Sequence, residues 1–315
     1  MKRIELFYQS VLRINRWAVV LLVVAALLGG VAASVGGAAA SPAPQSPDQL
    51  TRRKIDAHYH FGGEGFIEAT VANAKKYNTI YLTSVPYEKI SVFKAAQEKH
   101  PGVFIGEGRI QLDDPDAVKK IEGFHRAGFK AIGELTKPLK RFDDPAYYPI
   151  YEKAQELGLH VMFHTGIVNW RINRAEFSGM DHMRPAYLDL IMRRFPKLTI
   201  QGAHLGNPWY EEAAEVARWD PNLYFDLTGS SLLKKDSDPE FWGRILWWRP
   251  SVGSEHSPGG AHAFTKIIFG SDERPEGFLG NIERFEKVLN ANNIPEDVRE
   301  LCWYGTMAKI LGVEE

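Results

Sequence analysis

Eight short apolar segments alternate with amphipathic segments, and this rhythm limits the possible folds more than any other feature of the sequence. The apolar segments have the length of β-strands, whereas the segments between them repeat apolar residues at helical spacing. The predicted strands are 54–60, 79–84, 103–110, 129–135, 160–164, 199–204, 223–227 and 266–271. Strands separated by helices indicate parallel βαβ units, and eight such units close into a (β/α)8 TIM barrel. An open doubly wound sheet is the alternative α/β fold.

The N-terminal part of the chain differs in composition from the rest. Residues 1–16 carry Lys2, Arg3, Arg13 and Arg16 against one acidic residue, and an uncharged apolar run of residues 17–28 follows. This pattern predicts residues 1–40 to be a secretory signal peptide or, if uncleaved, an N-terminal membrane anchor. Either segment exports the folded domain, to the periplasm or to the medium. Residues 41–53 form a predicted Pro- and Ser-rich linker, and residues 54–315 form the predicted barrel domain.

Charge and cysteine content narrow the classes of partner. The chain has 38 basic and 39 acidic residues, a formal net charge of −1, and no basic block after its first 40 residues. Nucleic acid is therefore not a predicted partner, and membrane contact is expected only through the N-terminal segment. A small-molecule substrate is expected, and a homo-oligomer is compatible with the sequence. Cys302, the single cysteine, lies in an apolar helical stretch and is predicted to be a buried structural thiol.

Metal-ligand residue types stand at the ends of the predicted strands. In the stretch 54–61, His58 and His60 are alternate residues of one strand, so their side chains share a face and can hold one metal ion. Later strands end in further residues of this kind, namely Glu134, His164, His204 and Asp272. In a barrel the carboxyl ends of the strands converge, and catalytic groups come from these ends. The sequence therefore predicts one metal site built from five strands.

The motifs around these residues resemble a known superfamily. The matching stretches are DAHYH (56–60), GFKAIGEL (128–135), FHTG (163–166), RRFPKLTIQGAHLG (193–206) and IIFGSDERP (267–275). Residues 54–312 resemble the amidohydrolase superfamily, in particular the amidohydrolase-related branch that includes aminocarboxymuconate-semialdehyde decarboxylase. This motif set is specific to the superfamily and does not identify a substrate.

The resemblance implies a role for each residue. His58, His60, His164 and Asp272 would bind a divalent metal, for which zinc is the first choice. His204 would be catalytic, assisting proton transfer beside the metal, and Asp272 would also accept the proton of the attacking water. Three interpretations remain open for Glu134: a ligand that bridges a second ion, a hydrogen-bond partner of a ligand histidine, or no role in the site.

Two reactions fit this set of residues, and a third class of function stays open. The first is hydrolysis of a small carbonyl substrate, an amide, ester or lactone, by a metal-activated water. The alternative is non-oxidative decarboxylation of a small aromatic or unsaturated carboxylic acid, and a second ion at Glu134 would favour hydrolysis. A metal-binding protein without turnover is the third possibility. Four further residues flank the predicted mouth, where a cation could hold a substrate carboxylate or simply be solvated: Arg109, Lys137, Trp170 and Arg184.

Overall fold

Seven parallel strands form one sheet in which neighbours in the chain are neighbours in space. The computed structural model of the protein describes residues 50–168, 179–246 and 260–313. The strands are β1 (Lys54–His60), β2 (Thr79–Pro86), β3 (Phe104–Arg109), β4 (Ala131–Leu135), β5 (His160–His164), β6 (Ile200–Ala203) and β7 (Leu223–Phe225). The first seven predicted strands are thus confirmed. The predicted signal or anchor and residues 41–49 of the linker lie outside the described residues.

Helices follow the strands, as expected for parallel pairing. Six of the described helices connect successive strands: α1 (Glu64–Tyr77), α2 (Ile90–Lys99), α3 (Ala117–Arg126), α4 (Tyr148–Glu156), α5 (Ala186–Arg194) and α6 (Tyr210–Trp219). Five more of the described helices lie after β7: α7 (Ser230–Lys234), α8 (Phe241–Leu246), α9 (Phe278–Ala291), α10 (Glu296–Glu300) and α11 (Thr306–Leu311). None of the helices in the described ranges combines the length and apolarity that a membrane span requires.

The eighth predicted strand, residues 266–271, is not a strand. Ile267 makes a single parallel bridge to Phe225 of β7, and Ala57 of β1 donates its N–H to the carbonyl of Phe269. The N–H of Phe269 is donated instead to the carbonyl of Cys302, in the π-helical turn between α10 and α11. This diverted hydrogen bond, together with the three-residue length of β7, prevents a continuous ladder. The segment still contacts both edge strands of the sheet.

In β3, the packing of one face of the strand against the helices determines which side chains point to the opposite face. Gly106 and Gly108 face the helices, where an added Cβ would lie 2.6 Å from the ring of Phe129 and 2.3 Å from that of Phe124. The two rings pack with centroids 4.9 Å apart in the core between sheet and helices. Because strand residues alternate between faces, this packing turns Arg109 to the opposite, inner face.

The C-terminal part of the chain covers a second hydrophobic cluster. Met307 and Leu311 of α11 pack there with Ile55 of β1 and with Ile268. Cys302 is buried and donates its Sγ–H to the carbonyl of Phe264, and burial raises the pKa of its thiol. The prediction of a buried structural thiol is confirmed.

Candidate metal centre

All six residues that the sequence places at strand ends meet in one place. They come from the carboxyl ends of β1, β4 and β5, from the turn after β6, and from the segment that follows Ile267: His58, His60, Glu134, His164, His204 and Asp272. Converging parallel strands explain the meeting, because their carboxyl ends lie at the same edge of the sheet.

Two carboxylates lie at the centre of the cluster. Oδ1 of Asp272 lies 3.6 Å from Nε2 of His58 and 3.2 Å from Nε2 of His60. Oε2 of Glu134 lies 3.9 and 3.6 Å from the same two nitrogens. Nε2 of His204 lies 3.7 Å from Oε1 of Glu134 and 4.0 Å from Oδ2 of Asp272. Three imidazole Nε2 atoms therefore face two carboxylates.

The ring of His58 is oriented by an aspartate that the sequence analysis missed. Nδ1 of His58 donates to Oδ2 of Asp226 at 3.1 Å, so the other nitrogen, Nε2, is the one that faces the site. That Nε2 is buried and has no hydrogen-bond partner among the described residues. Partners on the outer nitrogen fix the tautomer and direction of metal-binding histidines. His58 thus has the arrangement of a ligand.

His204 is held in the same way, on a backbone of unusual conformation. Its φ is 63°, a left-handed conformation that costs energy for a residue with a side chain. The N–H of His204 donates to Oδ1 of Asp226 at 2.9 Å, and its carbonyl accepts from Ser231 at 2.7 Å. Nδ1 of the ring lies 2.8 Å from Oγ1 and 3.2 Å from the carbonyl oxygen of Thr228. Nε2 is left to face the two carboxylates.

In His60, unlike His58 and His204, the outer ring nitrogen Nδ1 faces a hydrogen-bond donor. Its Nδ1 lies 3.0 Å from Nη2 of Arg109, and a guanidinium can only donate hydrogen bonds. Nδ1 must therefore accept, which places the proton of the ring on Nε2, the nitrogen that faces Asp272.

His164 lies in the cluster, but acceptors face both nitrogens of its ring. Nδ1 donates to Oε1 of Glu134 at 2.5 Å, and Nε2 lies 3.2 Å from the carbonyl oxygen of Ile167. Glu134 is thus both a neighbour of the presumed ligands His58 and His60 and the hydrogen-bond partner of a further histidine. Two of the three interpretations of Glu134 remain open, and the interpretation without a role in the site does not fit this geometry.

Glu134 reaches the site because β4 is irregular near its end. The register between β4 and β5 shifts between Ile132 and Leu135, so Glu134 faces the site although Ile132, two residues earlier, is buried in the hydrophobic core. Gly133 has φ 152°, and an added Cβ there would lie 2.8 Å from the Cβ of Met162. Glycine is required at this close approach.

Asp272 is fixed by β1 rather than by a strand of its own. Its N–H donates to the carbonyl of His58 at 2.7 Å, and its φ is 48°. The preceding residue, Ser271, donates both its N–H and its hydroxyl to the buried carboxyl of Asp56, at 2.8 and 2.5 Å. These bonds compensate for the missing eighth strand by tying the segment to β1.

The charges of the cluster shift the pKa values of its members in opposite directions. Burial opposes the charged form of His58, but Asp272 and Asp226 raise the pKa of His58 well above its usual value. Burial also opposes ionisation of Glu134, yet His164 and its neighbours lower the pKa of Glu134 well below the usual range. The pKa of Asp272 is lowered as well, against burial, by His58 and His60. Without a cation, protons on the histidines balance the carboxylates.

The donor set fits a divalent metal ion. In the described part of the chain, two sets of side chains have ligand atoms within 4.8 Å of one another: His58, Glu134 and His204, and His58, His60 and Asp272. Imidazole and carboxylate together suit catalytic divalent ions such as zinc. The buried, unpartnered Nε2 of His58 is the observation that points to such an ion, because an isolated buried nitrogen is costly.

Asp226 could have been found in the sequence. It follows Leu223–Phe225 as a lone acidic residue among apolar ones, at the carboxyl end of the predicted strand 223–227. Its carboxylate accepts from His58, from Gln201 at 2.7 Å, and from the N–H groups of His204 and Thr228. Burial opposes its ionisation, but His58 lowers the pKa of Asp226 well below the usual range.

A buried glutamate of β3 was also missed. Neither carboxyl oxygen of Glu107 has a hydrogen-bond partner in the described residues, and burial raises its pKa to about 8. Burial thus favours the neutral form of this carboxyl group.

The residues at the predicted mouth divide into different groups. Arg184 forms an ion pair with Glu212 and is thus neutralised, whereas Arg109 contacts His60. Trp170 lies outside the described residues.

Comparison with known proteins gives a family match. Residues 90–273, more than half of the chain, match the sequence model of the family described as amidohydrolase. A search of curated proteins found no match.

Solved structures of similar fold were also found. An uncharacterised TIM-barrel protein from Bordetella bronchiseptica is 16% identical, with a TM-score of 0.57 over 82% of this chain and 98% of that one. A probable 2-pyrone-4,6-dicarboxylic acid hydrolase from Acinetobacter baumannii, with citric acid bound, is 12% identical, with a TM-score of 0.54 over 82% and 99%. A 5-carboxyvanillate decarboxylase from Novosphingobium aromaticivorans, complexed with manganese and 4-hydroxy-3-methoxy-5-nitrobenzoic acid, is 12% identical, with a TM-score of 0.54 over 85% and 98%. At these identities the similarity concerns the fold.

Proposed function

The chain belongs to the amidohydrolase family and is an enzyme of that superfamily, and we propose that it is a divalent-metal-dependent hydrolase of a small amide, ester or lactone. The observation that carries the proposal is the unpartnered, buried Nε2 of His58, which faces the carboxylates of Glu134 and Asp272. Imidazole nitrogens and carboxylates that converge in this way are a donor set that suits a divalent cation.

Of the converging side chains, those of His58, His60, Glu134 and Asp272 would hold the ion or ions, and His204 would lie beside them. His164 would join the ligands on losing the proton that it donates to Glu134. When bound, a divalent ion would act as a Lewis acid and lower the pKa of water, so that hydroxide would be available at neutral pH. Zinc is the proposed metal, and the manganese of the similar decarboxylase makes manganese the second choice.

The chain's own residues would hold and move protons. Asp272 presents one oxygen, Oδ1, to His58 and His60, and the other, Oδ2, to His204. In this proposal Oδ2 would accept a proton from an attacking water, and Nε2 of His204 would carry the proton to the leaving group. Thr228 keeps the ring of His204 in the orientation that this transfer requires.

A small substrate has room beside these groups. A cavity of about 360 Å³ is lined by His60 and Asp272, with Phe66 and Arg274 among its other residues. This volume lies in the range of small-molecule sites. We also propose that the segment after Ile267 closes the sheet as the eighth member of a (β/α)8 barrel, since it bonds to both β7 and β1.

Metal analysis and a substrate screen test the proposed hydrolase. The purified protein should contain one or two divalent ions per chain, and chelation should abolish hydrolysis of the best lactone, ester or amide in the screen. Zinc or manganese should restore activity. Full hydrolytic activity in the chelated protein would show that the metal-dependent mechanism is wrong.

Decarboxylation is the second candidate. The hydrogen bond from His164 to Oε1 of Glu134 favours it, because that oxygen is then engaged and a single ion is expected. The similar structures include a decarboxylase that binds a substituted benzoic acid, so aromatic acids belong in the screen. Release of CO2 from an aromatic acid, without hydrolysis of any carbonyl compound in the screen, would show that the enzyme is a decarboxylase.

Export is proposed from the N-terminal sequence. If residues 1–40 are a cleaved signal peptide, the protein recovered from the periplasm or medium should begin near Ser41. N-terminal sequencing of the recovered protein measures this. A full-length chain in the membrane fraction would instead indicate an anchor, and recovery from the cytosol would contradict both.

A further inference from the structure

Arg109 donates a hydrogen bond to a ring nitrogen of His60, one of the predicted metal ligands. Its Nη2 lies 3.0 Å from Nδ1 of His60, and its remaining contacts are with Ser84, at 3.4 Å to both Oγ and the carbonyl oxygen. Among the described residues, no carboxylate lies within 4.0 Å of the Arg109 guanidinium to form an ion pair. The side chain is half-buried at the carboxyl end of β3. The guanidinium therefore has its shortest contact with His60.

This contact conflicts with metal binding by His60. Neutral imidazole has one protonated and one unprotonated nitrogen, and Arg109 requires Nδ1 to be the unprotonated one. Nε2 then carries the proton and cannot ligate a metal. Ligation through Nε2 moves the proton to Nδ1, where its hydrogen would meet the N–H of Arg109. His58 and His204 have no such conflict, because their Nδ1 atoms face oxygen acceptors.

We propose that Arg109 and a divalent ion compete for His60, and that ion binding frees the guanidinium to bind the carboxylate of a substrate. The inference rests on the proposed metal-dependent function and adds the substrate class, a small carboxylic acid. A displaced guanidinium would be a half-buried cation beside the reacting groups, and its planar pair of donors matches a carboxylate. Metal and carboxylate binding would thus be coupled through one side chain.

Metal affinity tests the competition. Arg109→Met should bind zinc about three- to tenfold more tightly than the unaltered protein, since no hydrogen bond has to be broken first. Removing a positive charge would also strengthen binding, so the same change is made in His60→Ala. If competition acts through His60, Arg109→Met should change zinc affinity by less than about twofold in the His60→Ala background. Thermal unfolding verifies that each variant is folded.

The zinc affinities of the unaltered protein, the two single variants and the double variant distinguish three explanations. Weaker zinc binding by Arg109→Met would show that Arg109 supports the ligand, and an equal gain in the His60→Ala background would show a charge effect alone. Either result overturns the competition while leaving metal-dependent function intact. Failure of the unaltered protein to bind zinc would overturn both proposals.

Binding of benzoate tests the second step. Zinc-loaded protein should bind benzoate about tenfold or more tightly than Arg109→Met does, because a charge-assisted bidentate contact is lost. Benzamide, which has the same ring without the charge, should bind both proteins equally. As a control, Arg193→Met removes an exposed arginine that pairs with Asp189, and it should leave benzoate binding unchanged. Equal benzoate affinity in Arg109→Met and the unaltered protein would contradict the assignment.

Discussion

Replacing His204 with asparagine should lower kcat about 10²- to 10⁴-fold while metal content stays unchanged. Asparagine can still donate a hydrogen bond towards Thr228, but its amide cannot carry a proton from Asp272 to a leaving group. The measurement is kcat on the substrate that the screen identifies, together with the metal content of the variant. His125→Asn, the same change at an exposed position on α3, is the matched control and should keep kcat within about twofold.

Two other results would change the role of His204. Loss of the metal with unchanged thermal stability would make His204 a ligand, which its place in one of the two converging sets allows. Nearly full activity would remove His204 from the mechanism.

Replacing Asp226 with alanine should destabilise the protein by about 3–5 kcal/mol and weaken metal binding 10- to 100-fold. The change leaves buried donors of His58, Gln201 and Thr228 without their acceptor. It also frees the ring of His58 to turn away from the site. Because the pKa of Asp226 is lowered on folding, its stabilising effect is complete at neutral pH and is lost only as strong acid protonates it.

Denaturant unfolding and zinc titration measure the two effects of Asp226→Ala. Asp189→Ala provides the control, because it removes a partly exposed carboxylate whose hydrogen bonds within the described part of the chain are to Arg193 on the same helix. That change should cost less than about 1 kcal/mol. An Asp226→Ala variant with unaltered stability and zinc affinity would show that His58 does not depend on Asp226.

The sequence was a good guide wherever local pattern and tertiary structure agree. Apolar runs of strand length predicted β1 to β7, because a parallel strand is buried on both faces. Since carboxyl ends of parallel strands converge, the same pattern predicted that His58 and Glu134, which are 76 positions apart, would meet. The roles assigned to the six clustered residues stay predictions, which the substitutions and the metal analysis test.

The remaining features depend on contacts that no local pattern contains. The segment 266–271 has the composition of a strand, but Phe269 donates its N–H to the distant Cys302. Strict alternation would place Ile132 and Glu134 on the same face, and the register shift in β4 explains how Glu134 reaches the site while Ile132 is in the core. The pairing of Arg109 with His60 is a contact between strands that are not neighbours in the sheet.

Anomalous diffraction from a crystal of the zinc-loaded protein tests the central claim most directly. The account predicts a zinc peak about 2.0–2.3 Å from Nε2 of His58 and from a carboxylate oxygen of Asp272. The peak should lie beside Glu134, with a second peak across its carboxylate if two ions bind. A zinc-loaded crystal in which Nε2 of His58 has no metal within bonding distance would contradict the account.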